Sequence, residues 1–384
     1  MVRNAIVIGA GIGGLACAAA LGRRGMAVTL VEQATEIKEV GAGIQVSPNG
    51  LAVLRALGLE APLERTGAVQ ARGVVLADYA GGATVARLDL TRLRDQRYLF
   101  VHRADLIALL ARAARHENVS MEFSRRAVSV TPGGITEVEF ADGGRARAEV
   151  VVCADGLHSV GRAAINGQTQ ARFTGQVAWR ALVPAQSPSP VATVTMGPGR
   201  HIVQYPLRGG EMMNLVAVQE RDTWAEEGWN HPDDPENLRA AFADFGGPVA
   251  QVLRSVQDVN LWGLFRHPVA ERWARGGAVL LGDAAHPTLP FLAQGANLAL
   301  EDAWVLAEVA ANDKDLSRYE RIRRPRAQKV VDAASGNAWK YHLPHGPKRW
   351  AAHRALTLGS MLVPGIMMRQ FDWLYGHDVT QKHL

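Results

Sequence analysis

The sequence predicts an α/β protein: a Rossmann-type domain, a β-rich lobe inserted into it, and a helical segment at the C-terminus. Three observations point to this class. The chain opens with an apolar run, Ala5-Ile6-Val7-Ile8, that reads as a buried parallel strand. It is followed by the glycine-rich string GAGIGG at 9–14 and an alanine-rich helical stretch over 12–24. Similar strings, ADG at 154–156 and LGDAAHP at 281–287, recur far downstream, each closing an apolar run. Between those two, residues 175–266 hold alternating stretches such as 191–196, 201–206 and 213–219, the pattern of antiparallel strands.

The opening element carries a dinucleotide signature in its required context. A second apolar run, 27–31, ends in Glu32, 21 residues after Gly11. Gly9 permits the tight turn, Gly11 lets the backbone approach a pyrophosphate, and Gly14 lets helix and strand pack closely. The helix N-terminus offers free N–H groups to the anion. Glu32 is expected to accept hydrogen bonds from the adenosine ribose hydroxyls, and an acid there disfavours the 2′-phosphate of NADP. The three strings together read as one FAD site.

Residues 150–154 form a strand ending at Asp155-Gly156, and residues 278–281 another ending at Gly282-Asp283. Ligands of open α/β sheets bind outside the carboxyl ends of the strands, where these acids fall. Taken alone, either Asp-Gly pair is equally well explained as a turn. Downstream, Pro290-Phe291-Leu292-Ala293-Gln294-Gly295-Ala296-Asn297 opens a further helix. Its N-terminus, aimed at the pyrimidine end of a flavin, would stabilise the negative charge that develops on reduction.

At 384 residues, 48% hydrophobic and 21% charged, the chain supports a large core and more than one lobe. Its net charge of +5 is spread along the sequence, which favours small anions over nucleic acid. Six lysines, none between Lys38 and Lys314, leave the body of the protein without a catalytic amine. Cys17 and Cys153 lie in apolar elements and read as small buried hydrophobes, suiting a reducing compartment. No metal is expected: His342, His345 and His353 flank the breaker at 344–347 and read as a solvated loop. The sequence starts directly at the first strand and has no apolar run of membrane-spanning length, so a cytoplasmic protein, monomeric or homodimeric, is expected.

Because the three strings lie in the first, second and last thirds, the chain must leave and re-enter one domain. The boundaries drawn are 1–71, 98–174 and 267–330 for the FAD-binding domain, and 72–97 with 175–266 for the β-rich substrate domain. Residues 331–384 form the C-terminal helical segment. Helices are predicted over 316–341, with Pro325 kinking or breaking the first, and over 348–361. The second, basic and amphipathic, is expected to pack back on the FAD domain rather than to serve as a membrane or dimerisation element.

Five ordered strings carry a resemblance over nearly the whole chain. They are GAGIGG with Glu32, GAGIQVSPNG at 41–50, His102-Arg103-Ala104-Asp105-Leu106, ADGLHS at 154–159, and GDAAHP continuing to AQGANLALEDA. The chain resembles the single-component FAD-dependent aromatic hydroxylases, which include salicylate hydroxylase, 3-hydroxybenzoate 6-hydroxylase and 6-hydroxynicotinate 3-monooxygenase. The resemblance implies a para-hydroxybenzoate hydroxylase-like fold, bound FAD, and NADH or NADPH as a transient electron donor without a second Rossmann fold. A phenolic aromatic acid, salicylate- or 3-hydroxybenzoate-like, would be hydroxylated by O2 through a flavin hydroperoxide.

Site residues follow from the same resemblance. Gly9, Gly11, Gly14 and Glu32 would hold the ADP half, and Arg103 would reach toward the diphosphate. Asp155 and Gly156 would support FAD and the donor, and Asp283 would bind the ribityl chain. Pro290 and Gly295, Ala296 and Asn297 would face the isoalloxazine. If 202–206 is a strand, His201, Val203 and Tyr205 share one face. The resemblance puts the His and Tyr against the substrate's hydroxyl or carboxylate, with His201, near its ordinary pKa, as the base that activates the phenol. Gln45 replaces a His of the hydroxynicotinate enzyme, which favours a benzenoid ring. Gln45, Arg180, Arg208 and Pro290 are further substrate candidates, and surface placement is an equal alternative for the two arginines. Three rival functions are weighed. A flavin halogenase is disfavoured because its lysine and Trp-x-Trp-x-Ile-Pro string are missing. A monooxygenase of hydroxypyridine or other heteroaromatic or polycyclic rings, and a non-catalytic FAD-binding redox protein, stay open.

Overall fold

The computed structural model describes residues 3–37, 42–93, 96–186, 188–222, 231–313, 315–362 and 364–381. Gly41, at the start of the 41–50 string, lies outside them. A six-stranded sheet runs in the order Ala274–Arg275, Ala278–Leu280, Val150–Cys153, Asn4–Ile8, Ala27–Val31, Ser120–Glu122. Its pairings are parallel apart from that of the short edge strand Ala274–Arg275. Val7 pairs with Val152 on one side and Leu30 on the other, and the interior strands are buried on both faces. This explains their unbroken Val, Ile and Leu runs. Helices Ile12–Gly22, Arg103–His116 and Gly295–Asn312 pack with this sheet in one core. Because the strands run parallel, Glu32, Asp155 and Asp283 all emerge at one edge.

A second, eight-stranded sheet runs His231–Asp233, Val259–Arg266, Arg172–Pro184, Met212–Glu220, Arg200–Leu207, Val191–Gly197, Gly73–Asp78, Thr84–Asp89. All neighbours are antiparallel except Val191–Gly197 with Gly73–Asp78, so the early 72–90 segment does join this sheet. The period-two alternation divides its residues between two faces. Val177, Trp179, Ile202, Leu215 and Ala217 pack with Phe242, Phe245 and Leu253 beside helices Pro235–Ala241 and Pro248–Arg254. Ala178, Arg180, His201, Val203, Tyr205, Val216 and Val218 take the opposite face.

One expectation about the C-terminal third needs correction, and of the two outcomes expected at Pro325 a break does not occur. Helix Ser317–Tyr341 runs through Pro325 without a break. Flanking Arg323 and Arg326 are tied to buried Glu301 and Asp302 of the neighbouring helix, and those bonds hold the chain on either side of the missing amide donor. Helix Pro347–Leu362 packs on the β-lobe rather than on the FAD domain. Leu356 joins Val85, Val194 and Met196, and Thr357 Oγ1 donates to the Val85 carbonyl at 2.8 Å. Beyond it, Phe371 and Tyr375 reach the cavity described next. No helix among the described residues is long and apolar enough to cross a membrane.

Candidate active site

The carboxyl edge of the parallel sheet is built for an anion. Gly9 has φ +100°, and a Cβ on Gly14 would stand 2.0 Å from the Gly9 carbonyl oxygen, so this turn closes only with glycine. Gly11 faces open space at the N-cap of helix Ile12–Gly22, which has no side-chain cap and no acid in its first turn. Its first amides therefore remain available. Glu32 accepts from Ala10 N at 2.7 Å and Ala34 N at 2.9 Å, bonds that hold the carboxylate beside the turn. Each oxygen keeps a lone pair for a further donor.

Asp155 Oδ2 accepts from Val160 N at 2.9 Å, while its buried Oδ1 has no hydrogen-bond partner among the described residues. Burial lifts its pKa above the usual carboxylate value, against hydrogen bonds from Ser159 and backbone amides. Gly156 follows with φ +74°. Asp283 opens onto the cavity, and desolvation there raises its pKa against the pull of His286, Arg103 and His267. Arg103, first residue of its helix, is thus close enough to act on Asp283. Gly295 begins helix Gly295–Asn312 with open space over its Cα and no acid in the first turn.

Between this edge and the open face of the eight-stranded sheet lies a cavity of about 320 Å³. His201 and Tyr205 both line it, as do Gln45, Arg180, Asp283, Pro290, Gly295 and Ala296. The Arg180 guanidinium lies 4.8 Å from the Trp262 ring centre, and Tyr98 Oη donates to Gln45 Oε1 at 2.7 Å. Burial raises the phenol pKa of Tyr205 despite Arg180, and also those of Tyr98 and Tyr375, so all three are neutral donors at physiological pH. Apart from these groups the wall is largely apolar, with Val203, Val216, Val218, Leu264 and Phe291.

Several expectations about the site are revised. Arg208 is held away from the cavity: its guanidinium donates to Asp105 at 2.9 and 3.0 Å. The Asn297 side chain does not face the cavity. It ties two segments together, accepting from Ser47 N and donating to the Gln45 and Ala293 carbonyls. His201 does not sit near its ordinary pKa, because burial, then His342, pull it well below. His342 is no solvated loop residue; its side chain is 2% exposed and bonds to His201. Among the described residues no cluster has the makings of a metal site.

Some contributors were not legible beforehand. Tyr98 lies in a stretch without a motif, while Tyr341, Phe371 and Tyr375 come from the C-terminal segment. Behind the cavity, Asp302 accepts from His286, from Gly282 N and from Arg323, while Glu301 accepts from Arg323, Arg326 and Asn49. This buried network braces the GDAAHP loop against the helix that follows it.

Comparison with known proteins agrees with this geometry. The family model described as an FAD binding domain matches residues 3–334. The chain is 37% identical to 3-amino-4-hydroxybenzoate 2-monooxygenase PtnB3 of Streptomyces platensis, covering 97% of this chain and 96% of that protein. It is 31% identical to 3-hydroxybenzoate 6-hydroxylase 1 of Aquipseudomonas alcaligenes over the full length of both. The crystal structure of Klebsiella pneumoniae HpxO with FAD and uric acid superposes with a TM-score of 0.82 at 28% identity, covering 95% of each chain. The protein belongs to the single-component FAD-dependent aromatic hydroxylases. It is an FAD-dependent monooxygenase.

Proposed function

We propose that this enzyme uses NADH or NADPH and O2 to hydroxylate a small phenolic aromatic acid of the hydroxybenzoate class. The observation that carries this reading is the pairing of buried His201 and Tyr205 on one strand face, with Arg180 on the same face of the sheet two strands away, in a mostly apolar cavity of about 320 Å³. Relatives named for 3-hydroxybenzoate and 3-amino-4-hydroxybenzoate support a benzenoid acid carrying a free phenol.

FAD fits the residues present, and when reduced by the nicotinamide donor it supplies the electrophilic oxygen from O2. Gly9, Gly11, Gly14 and Glu32 would hold its ADP half, with Arg103 toward the diphosphate and Asp155, Gly156 and Asp283 along the chain between. Gly295 and Ala296 would present helix amides to the ring, with Pro290 beside them. Arg180 would pair with the substrate carboxylate while the Tyr205 and Gln45 side chains hydrogen-bond to the bound acid. His201, kept neutral by burial, would accept the phenol proton, since phenolate is attacked by an electrophile far more readily than phenol. The apolar wall excludes water from the reacting atoms.

The test is NADH and NADPH oxidation by the FAD-loaded protein with salicylate, 3-hydroxybenzoate, 3-amino-4-hydroxybenzoate and 6-hydroxynicotinate, products being identified by mass. A benzenoid acid that accelerates oxidation and gains one oxygen supports the proposal. Acceleration and oxygenation confined to the pyridine acid would overturn the substrate class.

A further inference from the structure

The geometry points to a proton path, His201–His342–Glu220, that carries the substrate's phenolic proton out of the cavity to the protein surface. It rests on the hydroxylase reading of the cavity and adds two positioning residues, His342 and Glu220, that act through His201. His201 Nδ1 lies 2.7 Å from His342 Nε2, and His342 Nδ1 lies 2.7 Å from Glu220 Oε1. The chain starts at a cavity-lining ring 2% exposed and passes through a side chain also 2% exposed. It ends on a carboxylate side chain 53% exposed. Three segments distant in sequence are clasped to make it. His201 pairs across the sheet with Val218, two residues before Glu220. Gly199 N donates to the His342 carbonyl at 3.2 Å, and Glu220 N donates to the Gly199 carbonyl at 2.9 Å.

The polarity of the path follows from its outer end. An ionised carboxylate only accepts, so Glu220 requires a proton on His342 Nδ1. Neutral His342 then presents an Nε2 lone pair inward, and His201 must donate to it from Nδ1. The other nitrogen of His201, Nε2, is left as the base at the cavity. Burial outweighs the pull of Glu220 and holds His342 below the ordinary histidine pKa, so the neutral form prevails at neutral pH.

The transfer balances atom by atom. The phenol O–H breaks as N–H forms on His201 Nε2, and the Nδ1 proton of His201 passes to His342 Nε2. The Nδ1 proton of His342 then passes to Glu220 and on to water. Both rings end neutral, in the opposite tautomer, and the charge left in the cavity is the phenolate alone. A lone histidine base would instead keep an imidazolium in a desolvated wall, which the depressed pKa of His201 marks as unfavourable. Besides the pair itself, the titratable groups recorded against it among the described residues are Glu220 and the Tyr341 phenol, whose ring centre is 5.2 Å from that of His201.

Two experiments on the FAD-loaded enzyme test the path. In ¹⁵N-histidine NMR at neutral pH, with signals assigned by their loss in His201→Gln and His342→Gln proteins, both rings are expected neutral with the proton on Nδ1. A His342 proton found on Nε2 would overturn the path, whatever the substrate. In anaerobic stopped-flow mixing with 3-hydroxybenzoate, Glu220→Gln and His342→Gln are expected to slow phenolate formation by about tenfold or more with FAD content and probe affinity kept. Phenolate formation at the wild-type rate in Glu220→Gln, whose site is exposed and tolerant, would overturn it even if His342→Gln fails to fold. If the wild type ionises none of 3-hydroxybenzoate, salicylate and 3-amino-4-hydroxybenzoate, the substrate reading fails and the path loses its phenolic proton, whereas a wrong NMR polarity overturns the path alone.

Discussion

Replacing Arg323 with alanine is expected to be among the costliest single changes outside the cavity. Its side chain is 1% exposed and contacts Glu301 at 2.6 Å and Asp302 at 2.8 Å, both carboxylates being wholly buried. Glu301 would keep Arg326 and Asn49, but among the described residues Asp302 would retain only His286 and the Gly282 amide. Removing one partner of a buried ion pair costs about 3–5 kcal/mol. For 384 residues, an unfolding entropy of about 2.1 cal/mol/K per residue gives about 0.8 kcal/mol/K. A loss of about 4 kcal/mol then lowers Tm by about 5 °C. The measurement is thermal unfolding followed by circular dichroism at fixed excess FAD. The pH dependence supplies an independent sign. Burial would raise both carboxylate pKa values, but the partners around them, Arg323 for Glu301 and His286 with Arg323 for Asp302, hold them below normal. In the wild type their contribution is therefore present above the unfolded carboxylate pKa and is lost as pH falls through the folded one. In Arg323→Ala the Asp302 pKa should rise above its unfolded value. The deficit should then grow with rising pH and shrink on mild acidification. A variant melting within about 1 °C of wild type at neutral pH would refute the reasoning.

Four further outcomes follow. Gly14→Ala puts a Cβ 2.0 Å from the Gly9 carbonyl oxygen and should weaken FAD binding by about a hundredfold or more, read by flavin retention on gel filtration. His201→Gln should lower kcat by about a hundredfold or more while FAD content and melting change little. In the wild type, because burial depresses the pKa values of both His201 and His342, the rate should hold through neutrality and fall only below the ordinary histidine range. Ending the chain at Gly346 removes Phe371 and Tyr375 from the cavity and uncovers strand Thr84–Asp89. Such a truncation should aggregate or lose flavin, and a soluble, fully flavinylated product would contradict the packing assigned to this segment.

The parallel sheet was legible because its interactions are local: buried strands read as apolar runs, and the glycine turn and distal acid sit at fixed spacing from them. The strands around His201 were legible for the same reason, since alternation alone puts His201, Val203 and Tyr205 on one face. What escaped depends on contacts between distant segments. No local signal says that His342, beyond the end of a helix, is drawn under the sheet to His201, or that Tyr98 and Tyr375 meet at one cavity. Asn297 was misread, and Arg208 was left between two readings, because a polar side chain near a motif can serve the scaffold as readily as the ligand. Their partners, Asp105 for one and the backbone around Ser47 for the other, appear only once the chain is folded.

The central claim is hydroxylation of a phenolic acid by the bound flavin. Its most direct test is one turnover under isotopically heavy dioxygen with NADH, NADPH and the hydroxybenzoate panel, the product being analysed by mass spectrometry. One heavy oxygen atom in the product ring, formed by the wild type and suppressed in His201→Gln, is the expected result. Donor oxidation that yields only peroxide with every phenolic acid, or a product oxygen drawn from water, would contradict it.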